Sequence, residues 1–69
     1  MPDVTIKSET IGKYYIELRL VNRYGYNSYV VTLNYEAGAG YRTEKQYQGY
    51  TRKNSMTVYS RYKKLANNQ

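Results

Sequence analysis

The stretch Tyr14-Tyr15-Ile16-Glu17-Leu18-Arg19-Leu20-Val21 decides the fold. Tyr14, Ile16, Leu18 and Leu20 fall on one side of an extended chain, and Tyr15, Glu17, Arg19 and Val21 on the other. That two-residue period belongs to a strand with one buried face. The segment from Asn22 to Asn27, with Gly25 at its centre, has the chemistry of a hairpin connection. Ser28 to Glu36 alternates again, with Tyr29, Val31, Leu33 and Tyr35 on the apolar side, so the two runs are expected to pair antiparallel.

Outward from this hairpin the pattern weakens and then changes. Ala37-Gly38-Ala39-Gly40 breaks the chain. Tyr41 to Tyr50 sets Tyr41, Thr43, Lys45 and Tyr47 against Arg42, Glu44, Gln46 and Gln48, a poor apolar face that predicts an edge strand guarded by charge. Val4 to Lys7 could add a short N-terminal strand; otherwise residues 1–12 are expected to fray. From Thr51 the period becomes helical: Ser55, Val58, Tyr59, Tyr62, Leu65 and Ala66 gather on one side, and Lys53, Thr57, Ser60, Arg61 and Lys64 on the other. Thr51 suits an N-cap, and residues 67–69 form a tail. The expected architecture is α+β: one domain over residues 1–69, a three-stranded antiparallel sheet in β-β-β-α order, and a C-terminal helix packed on one face.

Composition narrows the function. The chain lacks Cys and His, which removes disulfides, thiol or imidazole catalysis, and the usual zinc, haem and iron–sulfur ligand sets. Without a nucleophile–base pair we expect no enzyme, no cofactor and no metal. Gly38 and Gly40 make no phosphate loop, because the Lys-Ser/Thr that completes one is missing. No segment approaches the ~20 apolar residues of a membrane span, and Met1 to Lys13 has no apolar leader core, so a cytoplasmic protein away from membranes is expected.

The net charge is +6, and from Arg42 onward seven bases face Glu44 alone. An anionic partner is the expectation, with DNA ahead of RNA; a merely solvated basic helix face is the alternative. The candidate phosphate contacts are Arg19, Arg42, Arg52, Lys53, Arg61, Lys63 and Lys64. On the sheet face away from the helix, Thr32, Asn34 and Gln46, with Arg19 and Arg42 beside them, could reach base edges and phosphates in a groove. Arg23, Tyr24 and Tyr26 at the hairpin tip could stack on bases or enter a pocket of a protein. The chain has eleven Tyr and no Phe or Trp, and Tyr serves small cores and binding surfaces equally well.

Gly49-Tyr50-Thr51-Arg52-Lys53-Asn54-Ser55, leading a helix after three strands, resembles the arm-type DNA-binding domain of phage and transposon integrases and the AP2-type domains of plants. That resemblance implies a sheet that enters the major groove and a helix that braces its back. Asn54 and Ser55 stand where the integrase pattern commonly has Glu-Ala, so Thr51 lacks a capping-box partner. The chain also looks similar to small phage or mobile-element proteins, some of which inhibit CRISPR effectors or uracil-DNA glycosylase. The rival expectation is therefore an inhibitor or adaptor that binds a host protein in the host cytoplasm through its Tyr-rich surface; a homodimer through the same tyrosines is a third.

Overall fold

A computed structural model describes residues 3–68; the frayed start expected at Met1 and Pro2 and the end of the tail at Gln69 lie outside these. Four strands, β1 (Val4–Ile11), β2 (Tyr14–Arg23), β3 (Tyr26–Glu36) and β4 (Tyr41–Gly49), form one antiparallel sheet in the order β1-β2-β3-β4. The helix α1 (Arg52–Asn67) then crosses one face. The fold is α+β as expected, but the sheet has four strands rather than three. The N-terminal segment is a full edge strand that runs to Ile11, where the sequence suggested at most Val4 to Lys7.

The inner strands behave as their alternation dictates. β2 and β3 pair without interruption from Tyr14 opposite Tyr35 to Arg23 opposite Tyr26. Ile16, Leu18, Val31 and Leu33 are thereby placed side by side under the helix, and all four are buried. Val58, Tyr59, Tyr62 and Ala66 close the core from above, with Met56 and Leu65 partly buried beside them. The helix begins where its chemistry allows: the Thr51 hydroxyl accepts from the Asn54 N–H at 3.3 Å, satisfying one free donor of the first turn. Ser55 is fully buried, and its hydroxyl donates to the Thr51 carbonyl at 2.9 Å, so no polar atom is stranded there.

Both edge strands contain a bulge. In β1 the register shifts between Thr5 and Lys7; in β4 it shifts opposite Leu33 and Asn34, leaving Glu44 without a partner. A one-residue insertion sends every later side chain to the opposite face. Ile6 and Ile11 have opposite parity in sequence, yet both pack against the core, because the bulge lies between them. In β4, Tyr47 and Lys45 share the helix side with Val31 and Leu33, whereas Thr43 and Tyr41 pair with Asn34 and Glu36 on the far side. Gly49 is the last residue of β4 and is buried. A Cβ there would lie 2.8 Å from Cζ of Tyr47, so glycine lets that ring cross the end of the strand.

Candidate nucleic-acid interface

The register sorts the charges by face. On the helix side lie Lys7, Arg42, Lys45, Arg52, Lys53, Arg61, Lys63 and Lys64 against Glu9 and Glu44 alone. On the far side Asp3 and Glu17 hold Arg19, and the pairing of Glu36 with Tyr41 puts a third carboxylate there. The electropositive character of the molecule is therefore a property of one face. The field a polyanion would meet depends on which side it approaches.

Both helix-side carboxylates are occupied. Glu44 Oε2 accepts from Arg42 Nη2 at 2.9 Å and from Nε at 3.1 Å, which neutralises Arg42 within its own strand. The expectation that Arg42 lines the face away from the helix is corrected: the bulge at Glu44 pairs it with Tyr35 on the helix side. Glu9 joins β1 to the helix. Its Oε1 accepts from the Tyr59 hydroxyl at 2.9 Å and its Oε2 lies 3.1 Å from Lys63 Nζ. The Tyr59 bond first and Lys63 second hold the Glu9 carboxyl below the usual range, while burial first and the Glu9 bond second push the Tyr59 phenol well above its ordinary value. Lys7 adds its ammonium 5.0 Å from the centroid of the Tyr59 ring. Lys63 is thus a structural partner of β1 rather than a freely offered phosphate contact.

The remaining bases form a stripe. Lys53, Thr57, Ser60, Arg61 and Lys64 are all exposed and recur at intervals of three and four, so they lie along the outer surface of one helix. Lys53 to Lys64 spans about 16 Å at 1.5 Å per residue. None of these bases meets a carboxylate among the described residues. Arg52 is exposed beside the stripe at the first helical position, and the first turn contains no acid.

The far face differs from the expected groove reader. Arg19 Nη1 donates to Asp3 at 3.0 Å, and its Nε lies 3.7 Å from Glu17. Asn34 donates to the Tyr15 carbonyl and to the Thr32 hydroxyl, each at 3.1 Å, and accepts from Thr43 at 2.8 Å. Thr32 is buried. Arg19, Thr32 and Asn34 are therefore engaged with their neighbours, and of the expected base-reading residues only Gln46 projects freely. An edge strand beside β2 changes this face: Asp3 and Thr5 now flank Arg19 and Glu17.

At the end of the molecule where the helix starts, the chain turns through Tyr24 and Gly25, with φ of 55° and 79°. Two successive positive φ values give a hairpin turn that suits Asn-Gly or Gly-Gly. Tyrosine in the left-handed region costs about 1–2 kcal/mol. Tyr24 is 97% exposed, and Tyr26 and Tyr50 are each 75% exposed. Together with Arg23, Ser28 and Gln48 they line an open cavity of about 480 Å³. Arg23, Tyr24 and Tyr26 lie at the hairpin tip as expected, and Tyr50, expected at the junction of the edge strand and the helix, joins them. The signal that would have added it is the antiparallel pairing of Gly49 with Tyr29, which returns the end of β4 to the hairpin tip.

No helix is long and apolar enough to cross a membrane, and no metal-binding cluster of acidic side chains occurs among the described residues. No family model, curated protein or solved structure matches the chain.

Proposed function

We propose that this chain is a small non-catalytic nucleic-acid-binding protein, of phage or mobile-element type, that grips a phosphate backbone with the outer face of its helix. One observation carries the reading: Lys53, Arg61 and Lys64 stand on one exposed stripe without a carboxylate partner among the described residues, while Asp3, Glu9, Glu17 and Glu44 are paired elsewhere. Ser60 lies between them as a hydroxyl donor to phosphate oxygens, whereas the Thr57 hydroxyl donates to the Lys53 carbonyl at 3.1 Å. This shifts the contact from the sheet, where an integrase-like pose would put it, to the helix. Arg19, Thr32 and Asn34 then serve as braces of the sheet.

The test is salt-dependent binding. If Lys53, Arg61 and Lys64 each neutralise one phosphate, the log–log slope on duplex DNA is about −2.7, at about −0.9 per phosphate. Arg61→Glu with Lys64→Glu should abolish binding of labelled duplex and single strand at moderate salt and leave the circular dichroism spectrum unchanged. A wild-type protein that binds neither probe at low salt and micromolar concentration would exclude the reading. The exposed tyrosines favour the rival, an inhibitor or adaptor of a host protein. One stoichiometric protein that survives nuclease treatment in a lysate pull-down would support the rival instead.

A further inference from the structure

We infer that the cavity between the hairpin tip and the start of the helix receives an unpaired nucleobase, so that the protein prefers single-stranded over duplex nucleic acid; this rests on the nucleic-acid reading above. Tyr24 is the starting point. Its backbone conformation would be adopted more readily by Asn or Gly, and its ring, 97% exposed, contributes nothing to the core. Strain without a packing return marks a residue kept for what it contacts. Tyr26 at the start of β3 and Tyr50 just after β4 share the exposure of Tyr24 without its strain, and all three rings border one cavity.

The lining selects the occupant. It contains the cation of Arg23, the Gln48 amide and the Ser28 hydroxyl, and no carboxylate. Gln48 donates to Ser28 at 3.3 Å, and its carbonyl oxygen faces no donor among the described residues. An aliphatic peptide segment would gain little from this polar floor. A planar base offers a π face to the tyrosines, hydrogen-bonding groups to an amide, and an attached phosphate to arginine. The chain then runs from Tyr50 through Thr51 to Arg52 and Lys53, so the next phosphates of the same strand would meet the first bases of the helix. The helix stripe has no aromatic residue and can hold a backbone without distinguishing paired from unpaired bases. The tyrosine end supplies that distinction.

The experiment compares fluorescence anisotropy of one labelled strand, alone and annealed to its complement, with wild type, Tyr24→Asn and Tyr50→Ala. Asn suits the turn and Tyr50 is exposed, so both variants retain the fold. Wild type should bind the single strand more tightly, and each substitution should lower that affinity about 5- to 100-fold relative to duplex, the range expected for loss of one stacked base. Ultraviolet crosslinking of a strand containing 5-bromouracil should map to Tyr24, Tyr26 or Tyr50. Equal affinity for both probes, unaffected by either variant but abolished by Arg61→Glu with Lys64→Glu, would overturn the base site and leave the helix grip intact. Failure of wild type to bind either probe would overturn both readings. Self-association by sedimentation that Tyr24→Asn abolishes, without a change in strand binding, would assign this end to a second copy and likewise overturn the base site.

Discussion

The inner strands β2 and β3 and the edge strands β1 and β4 solve different problems. The inner pair keeps one register along its whole length and buries the middle of its apolar row, Ile16, Leu18, Val31 and Leu33, under the helix. Each edge strand breaks register once, and polar side chains near the break meet partners on other elements: Thr5 on Glu17, Thr43 on Asn34, Glu9 on Tyr59 and Lys63. Bulges twist an edge and interrupt the row of free backbone groups that invites another strand to pair. The inner pair supplies stability, while the edges distribute charge between the two faces.

The widest gap between the two regions is expected in core truncation. Leu18→Ala removes a fully buried side chain from β2 and should cost about 2–5 kcal/mol. A core of this size supplies about 3–5 kcal/mol in all, so urea denaturation should show the variant largely unfolded without denaturant. Ile6→Ala, at the bulge of β1, should lose less because Ile6 is only partly buried. Equal losses at the two sites would break the distinction.

Asn34 tests the junction between inner and edge strand. Asn34→Ala removes two donated bonds and one accepted bond beside the β4 bulge, and should destabilise by about 1–3 kcal/mol in the same assay. If the loss is negligible, the far-face network is decoration and the bulge is fixed by something else. A smaller effect is expected from pH at the other edge. The Glu9 carboxyl is depressed in the folded state, chiefly by the Tyr59 hydroxyl and then by Lys63. Its contribution is therefore fully present above the unfolded carboxyl value of about 4.3 and is lost as pH falls through the lower folded value. Glu9→Gln should be less stable at neutral pH and flatter in that acid window, as read from thermal melts between neutral pH and the acid limb.

How far sequence reached follows the same division. Tyr14 to Val21, Ser28 to Glu36 and the helical wheel from Ser55 to Ala66 were legible because an uninterrupted period reports one buried face. The first strand was legible only as a possible short segment from Val4 to Lys7, because Val4 and Ile6 share one parity while Ile11 has the other, so no single period spans the bulge. The Gly12 turn between Ile11 and Tyr14 was the available signal. Arg42 lies on the side opposite to its sequence parity for the same reason, two residues before the bulged Glu44. In the site, the excess of base after Arg42 could be counted, but Lys63 is set apart from Lys64 by its pairing with Glu9, in the part of β1 beyond the expected end at Lys7. The cavity required Tyr50 and the hairpin tip to meet in space.

The smallest stability effect is expected where neither class of strand is involved, at the first turn of the helix. Arg52 and Lys53 sit at the positive end of the helix dipole with no acid in that turn. Arg52→Glu with Lys53→Glu should raise stability by a few tenths of a kcal/mol, roughly the scale of one exposed charge near a helix end. The same pair of substitutions should weaken nucleic-acid binding, because it reverses the charge of Lys53 in the stripe and of Arg52 beside it, at the end nearest the tyrosines. Opposite signs in the two assays would assign these charges to the partner rather than to the fold. A gain in stability with binding unchanged would make them solvated charge and confine the contact to Arg61, Lys64 and their neighbours farther along the helix.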